Sequence, residues 1–185
     1  MSLPEAFENL PLRNWVYLLH PRPAFVVVSG SWDDYSAMAA SWLTPISRDP
    51  PLLGVAISPK RYTYEKIVST REFAVCVLPW SLVDKLNFLG WTTGREVKDK
   101  IAASGLTKAK ARVIGAPIIA ESVAVIEAKL HSDIELGGDH RLVVGLVEAS
   151  YVKRGVSPHD LQRYDIPLHI WRSSYVRVSN ETRTL

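Results

Sequence analysis

Cysteine is nearly missing from this chain: Cys76 stands alone among 185 residues. A lone thiol excludes an intrachain disulfide and fits a reducing compartment, so a cytoplasmic location is expected. Long apolar runs are missing too. Uncharged stretches such as Tyr35–Ser47 fall well short of the roughly 18 residues of a membrane span. The opening MSLPEAFENL has acidic residues and no apolar block, so it does not read as a secretory leader. The five histidines show no H-x-H or H-E-x-x-H spacing, so no metal site is expected. Neither G-x-G-x-x-G nor G-K-[ST] occurs, which excludes a dinucleotide fingerprint and a P-loop. Ser41 has no G-x-S-x-G elbow around it, so a hydrolase nucleophile is not indicated. A strong charge of one sign is also lacking: the net charge is +3 with a pI near 9.0. Cations are scattered and do not interleave with the six tryptophans, which argues against nucleic acid.

What is present is an ordinary globular composition, 47% hydrophobic and 22% charged, without repeats or linkers. One domain over residues 1–185 is expected, with a Pro-punctuated extension at 1–14 on the surface or against a partner. Trp15–Leu19 and Ala24–Ser31 read as short strands, and the His20-Pro21-Arg22-Pro23 link breaks any helix. Ser36–Leu43 reads as extended, with Ser36, Met38, Ala40 and Trp42 on one face. Arg48–Pro51 is a turn and Leu52–Ile57 a buried strand. Tyr62–Ser69 suits a short helix with Tyr64, Ile67 and Val68 inward. Glu72–Leu78 is a strand, Ser81–Leu89 a helix capped by Ser81, and a short helix lies near Lys98–Ala103. Ser122–Leu136 and His140–Val152 form a hairpin through Gly137-Gly138-Asp139. After a loop at Lys153–Pro167 come strands at Leu168–Trp171 and Tyr175–Val178. Strands outnumber helices and adjoin one another, so the fold class is mainly β (α+β), a barrel and not a Rossmann sheet.

The chemistry concentrates between Ser36 and Thr70. Ala39-Ala40-Ser41-Trp42 has small side chains where a planar ring could approach the backbone. The same residues also suit a tightly packed central strand. Ser58-Pro59-Lys60-Arg61-Tyr62-Thr63 sets two cations and hydroxyls at a helix start, a natural phosphate seat. A solvated basic turn with Thr63 as a local cap is the plainer alternative. His140 follows a Gly-Gly-Asp turn and opens a strand, at a rim where a ligand could lie, or where it could merely cap its hairpin. His131 and His169 read as edge or core residues.

Taken in series, these segments resemble the flavin reductase-like family of FMN-binding split barrels, its flavoredoxin branch especially. The likeness runs through Met38–Trp42, Ser47–Pro51, Arg61–Thr63, Glu72–Val75, Gly94–Lys100, Ala116–Ser122 and Gly138-Asp139-His140. It implies a homodimeric split β-barrel with FMN at or near the subunit interface. By motif position, Ala39, Ala40, Ser41 and Trp42 would line the isoalloxazine. Ser58, Arg61 and Thr63, with Lys60, would hold the phosphate end. His140 would lie near the reactive face, and Lys100 near the ring or phosphate. The implied activity is NAD(P)H-dependent flavin reduction, or alternatively electron carriage in which a redox protein partner supplies the electrons. The chain departs from the family at Cys76, where relatives carry asparagine, and at Trp171-Arg172, where they carry a Gly-Gly pair. Trp91 in Gly90–Thr93 is a further departure. These positions bear on the shape of the substrate pocket.

Overall fold

Three consecutive valines set the plan of the molecule. They lie in β2 (Phe25–Gly30), and successive side chains of a strand point to opposite faces. Val26 and Val28 enter one core with Ala74 and Cys76, while Val27 enters another with Phe73 and Val75. β2 and its neighbour β6 (Glu72–Val77) are thus covered on both faces, which is why both read as unbroken apolar runs.

The computed structural model describes residues 7–157 and 164–178. Its main sheet is antiparallel throughout, in the order β3 (Tyr35–Ala40), β2, β6, β9 (Ala124–Glu135), β10 (Arg141–Val152), β5 (Pro51–Ile57) and β4 (Leu43–Arg48). The first and last strands of this order are separated in the chain by only Ser41 and Trp42. A flat sheet of this width would hold its edges about 29 Å apart, at about 4.8 Å per strand. Three peptide units reach about 11 Å. The sheet must therefore curl until its edges meet, and Ser41-Trp42 is the seam. There Ala56 N–H donates to the Trp42 carbonyl at 2.9 Å.

Inside the barrel, Phe73, Val75, Val55, Ile57 and Val143 pack with Ile67 of α1 (Tyr62–Thr70). Outside, α2 (Val83–Trp91) and α3 (Lys100–Ala103) bring Leu86, Leu89 and Ile101 against Val28 and Ala37. A small sheet joins β1 (Arg22–Pro23), β11 (Leu168–Trp171) and β12 (Ser174–Val176), and a second pairs β7 (Lys108–Lys110) with β8 (Pro117–Ile119).

Four local expectations are corrected. Trp15–Leu19 is no strand: Leu12–Leu19 forms a 3-10 helix, and the three-residue spacing of Leu12, Trp15 and Leu18 matches its period. The extended run from Ser36 breaks at the seam and does not continue through Leu43. Val68 faces solvent, since α1 turns Ile67 and Tyr64 toward the barrel. Ser81 does not cap α2, which begins at Val83 after a 3-10 turn over Trp80–Leu82. Residues 1–6 of the expected extension, residues 158–163 of the expected loop, His159 among them, and residues 179–185 lie outside the described residues.

Candidate functional site

Two adjoining cavities lie along β3, between it and the ends of α1 and α2. Ala39, Arg61, Gly90 and Trp91 line both. The first, about 260 Å³, adds Ala24, Ala40, Ser41, His169, Arg172 and Tyr175. The second, about 140 Å³, is bounded further by Ser36, Lys60, Tyr62, Thr63, Gly94 and Lys100. Among the described residues, no Asp or Glu lines either one.

Local structure explains how these groups converge. The seam carries Ser41 out of β3 at the mouth of the first cavity. α1 begins at Tyr62 with Arg61 as its cap residue and no side-chain cap, so its first-turn N–H groups and positive dipole end face the second cavity. Ser36 and Thr63, both buried, share a 2.9 Å hydroxyl–hydroxyl hydrogen bond that ties β3 to α1. Gly94 must be small: a Cβ there would lie 2.8 Å from the Tyr62 ring and 3.0 Å from Ser36 Oγ.

Lys100 is the unusual member. Its side chain is 2% exposed, and Nζ donates to the carbonyls of Ala37 and Leu89. No carboxylate neutralises it among the described residues. Burial, reinforced by the Arg61 charge, pushes its pKa down to about 8. Cys76, by contrast, is fully buried with its thiol pushed up to about 11, so it is an inert core residue.

The structure gathers Ala39, Ala40, Ser41, Lys60, Arg61, Thr63 and Lys100 around the two cavities. Ser58 lines neither: its carbonyl accepts from Arg61 N–H at 3.0 Å and closes the turn before α1. Trp42 lies across the seam, where it lines a third cavity with Arg22, Ser41 and Leu142. The His140 ring stacks on Trp42 at 4.8 Å and its Nδ1 lies 2.9 Å from Asp139 Oδ1. Within one chain, His140 is therefore on the Trp42 side of the seam and lines neither of the first two cavities.

His169, Arg172 and Tyr175 were missed by residue reasoning. His169 was expected at an edge or in a core, yet its ring walls the first cavity. Its Nε2 donates to the Arg172 carbonyl at 3.0 Å, which leaves Nδ1 as a lone-pair acceptor, buried and without a partner among the described residues. The single signal in the sequence was the Trp171-Arg172 departure. Trp171 itself turns onto Tyr17, at 4.1 Å between ring centres, while Arg172 lines the cavity with its guanidinium 5.6 Å from the Trp171 ring centre.

Residues 17–179 match the family described as flavin reductase like domain. The chain belongs to this family. An uncharacterized protein of Aeropyrum pernix is 38% identical over 134 residues, 72% of this chain and 51% of that protein. A probable flavin reductase of Rhizobium meliloti is 34% identical over 145 residues, 78% of this chain and 44% of that protein. The match thus spans about half the length of these two relatives. Among solved structures, an FMN-binding protein from Thermus thermophilus with bound 1-cyclohex-2-enone superposes over all of both chains with a TM-score of 0.82 and 29% identity. The flavoredoxin of Desulfovibrio vulgaris has a TM-score of 0.79 at 24% identity, covering 100% of this chain and 97% of its own, a likeness of fold. The mainly β split barrel expected from the sequence is the fold of this flavin reductase-like chain.

Proposed function

We propose that this flavin reductase-like protein binds FMN along β3 and takes electrons from NAD(P)H. The observation that carries the reading is Lys100, a buried ammonium at the wall of the second cavity with no carboxylate beside it among the described residues. An uncompensated buried charge is costly, and an arriving anion offsets that cost. Lys has three N–H donors, and two are committed to carbonyls. The third, the Arg61 fork and the open N-terminus of α1 fit a phosphate. Lys60 and Thr63 border the same cavity, while Ser58 acts through the turn it closes. Ala39 and Ala40 present almost no bulk where a flat ring would lie, and Ser41 offers a hydroxyl at its edge.

When bound, FMN supplies the hydride chemistry. The chain's own part is to hold the phosphate, present a flat floor and position the donor. A second copy of the chain completes the site in this reading, bringing Trp42 and His140 of one protomer toward the cavities of its partner. His140→Ala is then expected to retain FMN but slow its reduction, and an unchanged single-turnover rate would remove His140 from this role.

A second reading, an electron carrier reduced by a protein partner, is favoured by one feature. Trp91 is 66% exposed and borders both cavities, where it narrows the approach of a nicotinamide. One visible spectrum decides between the two. The purified protein, loaded with FMN and desalted, should be yellow and should bleach anaerobically with NADH or NADPH. A protein that takes up no FMN overturns the flavin seat. A yellow protein that neither nucleotide bleaches overturns the reductase and leaves the carrier.

A further inference from the structure

We propose that the β11–β12 hairpin forms a second anion subsite, in which Arg172 holds the acidic group of a flat ligand at the mouth of the first cavity, beyond the ring seated on Ala39 and Ala40. The proposal rests on the flavin reading for what fills the second cavity and covers Ala39 and Ala40.

Charge balance is the first argument. Lys100 borders the second cavity alone, Arg172 the first alone, and Arg61 both. Neither arginine has an ion-pair partner among the described residues. One phosphate dianion between Lys100 and Arg61 leaves Arg172 at the far end without a counter-ion. A guanidinium there can take a carboxylate or a phosphate through two parallel N–H bonds.

Backbone geometry is the second argument. Arg172 sits at φ 45°, in the left-handed region that favours glycine. The His169 ring holds this turn by donating Nε2–H to the Arg172 carbonyl. The turn therefore carries a charged side chain at a place where the backbone alone would prefer none. His169 lines the same cavity as Arg172, so the hairpin brings both residues to one wall.

Two sources share this chemistry: the carboxylate of a small planar acid, and the phosphates of a nicotinamide dinucleotide. Both are tested on FMN-loaded protein through the change they cause in flavin absorbance. One pair is benzoate against benzamide; the other is NADPH against the uncharged N-benzyl-dihydronicotinamide, read as the concentration giving half-maximal effect. In the native chain the anionic member of at least one pair is expected to act at about tenfold lower concentration. Arg172→Gly, which suits the φ of this position, should bring that ratio near one while the protein still takes up FMN. Arg172→Gln, which keeps most of the bulk, should do the same. The pair that moves identifies the source. No preference in the native chain, or a preference that survives both substitutions, overturns the subsite. If the protein takes up no FMN, the flavin reading fails separately. Calorimetry of the colourless protein with benzoate and benzamide, native against Arg172→Gly, then decides the subsite by the same ratio.

Discussion

Lys100 keeps one N–H free after donating to Ala37 and Leu89, so its worth depends on what fills the adjoining cavity. Its pKa is about 8 in the folded chain, against 10.5 for an unperturbed lysine. Below about 8 both folded and unfolded chains hold the proton, and the burial penalty is fully present. As pH rises from there toward 10.5 the folded chain sheds a proton that the unfolded chain keeps, so this group favours folding increasingly. A bound phosphate acts the other way, because it favours the charged ammonium. FMN affinity should therefore hold steady up to about pH 8 and weaken above it, whereas riboflavin affinity should not follow. Lys100→Met should weaken FMN by about tenfold, flatten that pH dependence and leave riboflavin nearly unaffected, as flavin fluorescence titrations can read. Residue types alone offered Arg61, Thr63 and Lys60 as a phosphate seat beside the plainer reading of a solvated basic turn, and it took the ordered motifs downstream to favour the seat. His169 was illegible because its role arises only when a late hairpin folds against β3, far back in the chain.

Strand elements were the most readable, because their signals are local. The Gly137-Gly138-Asp139 turn and the alternating runs beside it gave β9 and β10 nearly to the residue. The 3-10 helix at Leu12–Leu19 escaped because Trp-Val-Tyr is strand-like composition, and its three-residue apolar spacing is short. Within β10, Gly145 has a reason that no local rule supplies. A Cβ there would lie 2.6 Å from the Phe73 ring and 2.9 Å from the Ala128 Cβ. Gly145→Ala should therefore destabilise the barrel by about 1–3 kcal/mol, seen as a lower urea midpoint with an unchanged slope. Adding Phe73→Leu should recover part of the loss, since the two positions share one volume.

At the scale of the whole molecule, adjacency of strands pointed to a barrel, but the ring order depends on non-local pairings that composition does not encode. The 3-10 helix leaves an apolar ridge, with Leu12 86%, Trp15 56% and Leu18 74% exposed, and none of its residues is buried. Such a ridge suits a second copy of the chain. If the ridge seats a second copy, the native chain should sediment as a dimer and Leu18→Glu with Trp15→Glu as a monomer, and equal sedimentation of native and variant chains would set this ridge aside.

The seam has one more consequence. Among the described residues β3 hydrogen-bonds with β2 alone, so its other margin carries main-chain groups without a strand partner. An open strand margin is a template on which foreign strands can grow. Lys100 blocks part of it by taking the Ala37 carbonyl, and a ring seated over Ala39 and Ala40 would cover more. The cofactor would then serve as a stopper against self-association as well as a reagent. Protein stripped of its flavin is the form expected to clump during storage.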